Sequence, residues 1–188
     1  RINVLEEAVN NNKKVILFWY PKDFTFVCPT ELHAFQTALQ EFEQRNTMVI
    51  GASCDTNEVH FAWLNTAKNN GGIEGVTYPL LADTTRNLAA ALDILDAEWV
   101  YNQEVNDEIL EGSNVTFRAT YLIDETGKIF HESVNDMPLG RNVNEYLRLI
   151  DAYTHVQTKG EVCPANWEEG KEAMSADRNS TAAYLAAN

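Results

Sequence analysis

The chain carries three cysteines, Cys28, Cys54 and Cys163, and the residues around Cys28 are the first candidates for chemistry. Cys28 lies in a turn bounded by Pro21 and Pro29, after an apolar run and directly before a helical pattern. That position places a thiol at a helix N-terminus, where free N–H groups and the positive end of the dipole favour a thiolate, the nucleophilic form. Pro29 suits a first helical turn because no N–H is missed there. Thr25 offers a hydroxyl that can hydrogen-bond the sulfur or an oxygen bound to it. The same position also fits a thiol acting as a small buried hydrophobe. No second cysteine stands at Cys-x-x-Cys spacing, so Cys28 has no local dithiol partner. Cys163, beside Pro164 in EVCPANWEEG, is open to reading as an incidental exposed thiol, and Cys54, ending an apolar run, reads as core. His33, His60, His131 and His155 form no clustered metal-ligand pattern, so no metal is expected.

The elements that must position these residues follow from periodicity. Residues 15–20 (VILFWY) form a continuous apolar run ended by Pro21, the pattern of a strand buried on both faces. Leu32, Phe35, Leu39 and Phe42 recur at helical spacing. Residues 47–54 (TMVIGASC) read as a second buried strand, and Asp55, Thr56 and Asn57 supply N-cap candidates for a helix over 57–66. Asn69-Asn70-Gly71-Gly72 breaks it. A short strand at 78–82 and an Ala-rich helix at 85–92 follow. The acidic stretch 96–113 reads as a long loop or an inserted ribbon. Residues 115–123 (VTFRATYLI) return to strand character, with Asp124-Glu125-Thr126-Gly127 as a hairpin turn into a return strand at 128–133. A last strong helix carries Val143, Tyr146, Leu147, Ile150 and Tyr153. After Gly160 the chain turns into a polar, small-residue tail, expected to be mobile or docked. This order predicts an α/β architecture of thioredoxin-like topology: a central mixed sheet flanked by helices, with a C-terminal extension.

Composition narrows the function classes. A chain of 188 residues suggests one domain, or one domain plus an arm. Fourteen Lys+Arg against 28 Asp+Glu give a net charge of −14, which disfavours nucleic acid and anionic membrane surfaces as partners. No apolar run approaches the ~18 residues of a transmembrane helix. Three cysteines are too few for a secreted disulfide framework, so a reducing, cytoplasmic setting is expected. The start at Arg1, without Met, is expected to mark a trimmed version of a longer product.

Pro21, Thr25 and Cys28 form P-x-x-x-T-x-x-C, and FTFVCPTE resembles the peroxidatic loop of typical 2-Cys peroxiredoxins. GASCDTNEVHFAWLNT, YPLLADTTRNLAAAL, RATYLIDETGKI and EVCPANWEEG resemble further segments of that family, in order and spacing. The chain most resembles the bacterial alkyl hydroperoxide reductase C type. The resemblance implies a thiol-dependent peroxidase of hydrogen peroxide and alkyl hydroperoxides, serving antioxidant defence without a bound cofactor. It implies Cys28 as peroxidatic nucleophile, Thr25 and Arg118 as holders of the thiolate and peroxide oxygens, Pro21 as a shield of the thiolate, and Glu31 as the residue orienting Arg118. Without it, Arg118 would read as a strand arginine pairing a surface carboxylate. It further implies Cys163 as the resolving thiol of the partner subunit in a disulfide-linked homodimer, a decameric ring, and a thioredoxin or a flavoprotein disulfide reductase as electron donor. On this basis residues 1–158 form the peroxidase domain, lacking an N-terminal part, and 159–188 form an arm carrying the resolving cysteine.

Some segments depart from the family pattern. The acidic segment 96–113 looks like an insertion. Gly71-Gly72-Ile73-Glu74-Gly75 and Tyr184-Leu185 imperfectly resemble the paired motifs of oxidation-sensitive members, from which some sensitivity to overoxidation is expected. A holdase chaperone is the alternative from another class, and it would retain client protection in Cys28→Ser. A general dithiol exchange protein is disfavoured by the missing Cys-x-x-Cys.

Overall fold

The apolar run after Lys13 is a strand with all 6 residues buried, and the rest of the first unit is built outward from it. The computed structural model describes residues 3–187. The chain divides into two compact units, Arg1–Arg141 and Asn142–Asn188. In the first unit the elements run α1 (Val4–Asn10), β1 (Lys14–Trp19), α2 (Cys28–Thr37), α3 (Leu39–Gln44), β2 (Thr47–Ser53), α4 (Asn57–Leu64), β3 (Leu80–Ala82), α5 (Asn87–Ala91), β4 (Leu95–Asn102), β5 (Asp107–Thr116), β6 (Arg118–Ile123) and β7 (Ile129–Asn135). The second unit holds α6 (Val143–Lys159) and α7 (Arg178–Ala187).

The main sheet has the order β3-β2-β1-β6-β7. β1 pairs in parallel with β2, from Lys14↔Thr47 to Trp19↔Ala52, and antiparallel with β6, from Val15↔Ile123 to Phe18↔Thr120. This is the mixed α/β sheet that the element order predicts. A central strand covered on both faces has no reason to alternate polar and apolar residues, and β1 does not. Its odd-numbered residues Val15, Leu17 and Trp19 join a core with Ala8, Ile50, Ala89, Ile94 and Tyr121. On the alternate positions Phe18 stacks on Phe35 of α2 at 4.0 Å between centroids and meets Tyr78 edge-on at 5.8 Å.

Several elements depart from expectation for identifiable reasons. The helical run through Phe42 is two helices, α2 and α3, broken at Ala38 (φ −86°, ψ 2°). The expected strand 115–123 is two strands that serve different ladders. β5 pairs with β4 in a separate ribbon, and β6 pairs with β1 and β7. The chain switches ladders at Phe117, whose N–H donates to Ile94 O at 2.9 Å. The acidic segment is therefore a two-stranded ribbon, the second of the two readings it allowed. Thr56 caps α4 by accepting from Val59 N. α5 is shorter than expected because Arg86, before it, takes a left-handed conformation (φ 60°).

In the second unit, Asn142 caps α6, whose side chain accepts from Asn144 N, and the helix stops at Gly160, left-handed at φ 69°. A backbone bridge, Val162↔Met174, follows, with bonds of 2.8 and 3.2 Å. Trp167 lies within the bridged segment, buried, its Nε1 donating to Lys171 O at 3.1 Å. The polar tail ends in α7 rather than in irregular chain. Asp177 explains this: its Oδ1 accepts from Asn179 N and Ser180 N at 2.9 Å each, an N-cap before a run of helix-compatible residues. Among the described residues no helix is long and apolar enough to cross a membrane.

Phe35 is fully buried between Phe18 and Phe42. Phe35→Ala is expected to lower the unfolding free energy by about 3–5 kcal/mol. Urea denaturation should show a lower midpoint at unchanged slope.

Candidate functional site

Cys28 is the first residue of α2 and is fully buried. β1 delivers the chain to the edge of the sheet, where Tyr20 N donates to Ala52 O at 2.9 Å and holds the exit of the strand. The chain then crosses Pro21–Val27 and enters the helix. Val27 O accepts from Thr30 N and Glu31 N at 3.0 and 3.3 Å, while no side chain caps this end. Pro29 falls in the first turn, as its missing N–H allows. The sulfur thus sits, fully buried, at the N-terminal end of α2.

Arg118, the first residue of β6, brings its guanidinium to Cys28: Nη1 lies 3.5 Å from Sγ. The same Nη1 donates to Glu31 Oε2 at 2.6 Å, and Nε donates to Met137 O at 2.6 Å. Glu31 is one helical turn beyond Cys28 and 3 % exposed. It receives a second guanidinium, from Arg141, through Nε to Oε1 at 2.8 Å and Nη2 to Oε2 at 2.9 Å, with the Arg141 backbone N–H at 2.9 Å. Arg141 also donates to Ala119 O and lies over the Phe18 ring, 5.0 Å from its centroid. Burial opposes the Glu31 carboxylate, yet the hydrogen bonds and charge of Arg141, with the charge of Arg118, outweigh it and hold its pKa below the ordinary 4.5. Two guanidiniums around one carboxylate leave one surplus positive charge, and it faces the Cys28 sulfur.

The structure brings Cys28, Glu31 and Arg118 together. The Thr25 hydroxyl donates to Lys22 O at 2.8 Å, so its proton is engaged within the loop. Pro21 is buried at the start of that loop. Cys163 belongs to the second unit, where it is half-buried with Sγ 3.7 Å from Ala152 O, and burial raises its pKa. Cys54 is half-buried at the end of β2, and burial with the charge of Asp83 pushes its thiol up to about 11, which suits a packed thiol rather than a nucleophile. Arg141 is the residue that sequence reasoning missed. Its only local sign is Gly140 ahead of a capped helix, where an added Cβ would approach Val27 Cγ1 to 3.3 Å. Its partner Glu31 is 110 residues away in the chain.

A second loop supports α2. Gly71 takes a left-handed φ of 74°, and a Cβ on Gly72 would collide with the Thr66 carbonyl. Gly72 O lies 3.1 Å from His33 Nε2 of α2, and Gly71 O accepts from Trp63 Nε1 at 2.9 Å.

Residues 3–132 match the AhpC/TSA family, and residues 152–187 match the C-terminal domain of 1-Cys peroxiredoxin. The chain is similar to an alkyl hydroperoxide reductase C of Helicobacter pylori, 41% identical across 98% of this chain and 85% of the relative. It is also similar to the human mitochondrial thioredoxin-dependent peroxide reductase, 44% identical across 82% of this chain and 55% of the relative. Among solved structures, a reduced 2-Cys peroxiredoxin of Plasmodium vivax superposes with a TM-score of 0.85 at 37% identity, covering 97% of this chain and 86% of that one. With the family match over residues 3–132 and relatives more than 40% identical over most of its length, the chain belongs to the AhpC/TSA family of peroxiredoxins.

Proposed function

We propose that this chain is a thiol-dependent peroxidase that reduces hydrogen peroxide and alkyl hydroperoxides, with Cys28 as the nucleophile. The observation that carries this reading is the Arg118 guanidinium 3.5 Å from the Cys28 sulfur, itself fixed by Glu31. In the reaction the thiolate attacks one peroxide oxygen in line with the O–O bond. The sulfur is oxidised to a sulfenic acid, and the O–O bond breaks. The other oxygen leaves as an alkoxide or hydroxide, which takes a proton to become an alcohol or water. Negative charge grows on that leaving oxygen, and a fixed guanidinium stabilises it without reorganising. Thr25 completes the set by turning its hydroxyl from Lys22 O toward a bound oxygen, and Pro21 keeps water from the sulfur.

In the second step Cys163 of a partner subunit attacks the Cys28 sulfenic sulfur, forming a disulfide and releasing water. Residues 159–188 act as the arm that brings this thiol to the partner. The bond links a homodimer, and dimers assemble into a ring, a decamer. A dithiol donor, thioredoxin or a flavoprotein disulfide reductase, then reduces the disulfide. Similarity to thioredoxin-dependent peroxide reductases of fly and human mitochondria supports the first of these donors. Because every turnover draws on reduced dithiol, the cytoplasm is the compartment that fits, and no bound cofactor is required.

Peroxide consumption with a dithiol donor tests the reading. Cys28→Ser should abolish turnover, whereas Cys163→Ser should keep sulfenic acid formation yet lose disulfide-linked dimers on a non-reducing gel. Residual turnover in Cys28→Ser would overturn the assignment. Arg118→Gln is expected to slow sulfenic acid formation about 10²–10³-fold in stopped flow, the cost of removing one fixed donor to developing charge.

Glu31 also predicts a pH dependence. Its pKa is lower folded than unfolded, so its stabilisation is full above the ordinary 4.5 and is lost as pH falls through the folded value. Chemical denaturation at pH 6 and below pH 4 should show a loss of stability that is smaller in Glu31→Gln.

A further inference from the structure

The loop that carries Cys28 is held very unevenly along its length. At its start, Asp23 is anchored on three sides. Its backbone N–H donates to Asp55 Oδ2 at 2.9 Å, its Oδ1 accepts from the Tyr20 hydroxyl at 2.8 Å, and its Oδ2 lies 2.7 Å from His60 Nδ1. The carboxylate is fully buried and the imidazole 5% exposed. His60 Nε2 lies 3.4 Å from Leu81 O, so both ring nitrogens face acceptors and the ring bridges Asp23 to β3. Burial works against the imidazolium, but the hydrogen bond and charge of Asp23 outweigh it and raise the His60 pKa. Tyr20 is tied in turn to Ala52 O through its N–H and to Thr116 Oγ1 through its carbonyl.

One residue further on, the buried hydrogen bonding gives way to a single ring contact, Phe24 against Trp63 at 5.8 Å between centroids. Phe24 takes a left-handed φ of 54° and is 52% exposed, and Phe26 is 94% exposed. Thr25 bonds back to Lys22 within the loop. A segment with little buried surface and local bonds opens at low cost, whereas one with buried charged hydrogen bonds does not.

We propose that Asp23, clamped by His60 and Tyr20, is the fixed stop at which local unwinding of the Cys28 loop ends, which makes His60 a positioning residue for the resolution step. The inference rests on the peroxidase reading above. After the first oxidation, the Cys28 sulfenic acid has two fates. If the loop opens, a thiol attacks the sulfur and water leaves. If it stays closed, a second hydroperoxide transfers an oxygen to the sulfur, giving a sulfinic acid while the peroxide leaves as alcohol or water. A firm stop confines opening to residues 24–30 and lengthens the closed lifetime. Releasing the stop lets opening run back toward β1 and favours the disulfide.

His60→Leu removes the ring's polar atoms, His60→Asn restores a donor near the Nδ1 position, and Tyr20→Phe removes one bond to Asp23 at nearly unchanged volume. In the full chain, His60→Leu is expected to raise exchange of the Asp23 and Tyr20 amides about tenfold. The Ile16 amide, in the sheet, should be unaffected. The sulfinic fraction per turnover should fall by about the same factor, at an unchanged rate of sulfenic acid formation. Asn should restore both, and Tyr20→Phe should shift both in the Leu direction, which keeps the test alive if Leu fails to fold. Unchanged Asp23 exchange in Tyr20→Phe, or faster exchange with an unchanged sulfinic fraction, overturns the stop. If the wild-type chain consumes no peroxide, the peroxidase reading falls, and amide exchange alone decides whether the stop exists.

Discussion

The Glu31 carboxylate, shared between two guanidiniums, is the interaction on which the site depends. It joins α2 to β6 and to the segment at Arg141, so three stretches of chain remote in sequence converge on one buried charge. A single buried ion pair is weak evidence for stability, since desolvation offsets much of the attraction. Here the carboxylate accepts four donors, and each guanidinium also donates to one backbone carbonyl, Met137 O or Ala119 O. Arg118 is held beside Cys28 through two of its nitrogens. Fixed geometry is what makes a guanidinium effective toward charge that appears only in a transition state.

Around this rigid centre the protein distributes rigidity unequally. The sulfur sits at the junction between a fully buried strand and a helix, and β1 with β2 hold the strand end through Tyr20. In the loop between Asp23 and Cys28, Phe26 is turned outward and Phe24 is half exposed, with one ring contact to Trp63. The proposed reaction, in which the sulfur is first held and later released to another thiol, needs both properties within a few residues. The Asp23–His60–Tyr20 cluster is where one gives way to the other.

Much of this was legible in sequence. The run VILFWY announces a buried central strand because residues covered on both faces need not alternate, and Cys28 before Pro29 announces a thiol at a helix start. The cap of α4 is announced as one of Asp55, Thr56 and Asn57, because capping is a contact over three residues, and the structure selects Thr56. The same locality explains the misses. The break at Ala38 interrupts a hydrophobic stripe that itself continues. The division of 115–123 at Phe117 depends on which ladder each half joins, and nothing in VTFRATYLI distinguishes β4 from β1 as a partner. The Asp177 cap of α7 was present in the sequence, but the small polar residues after it carry no apolar stripe.

What the amino-acid order determined by itself is therefore the set of short-range facts: strand or helix type, the caps, and the family-like motif around Cys28. Only the tertiary structure decided which charges meet. Arg141 lies 110 residues from Glu31 and has no motif linking the two, because a salt bridge is specified by where the sheet and its connections deliver the side chains. His60 likewise looks like one helical histidine among four until α4 packs it against Asp23. Arg141 meets its partner beside Phe18 of β1, and His60 meets Asp23 beside Tyr20, just past the end of that strand; both partners are set by distance in space rather than in chain.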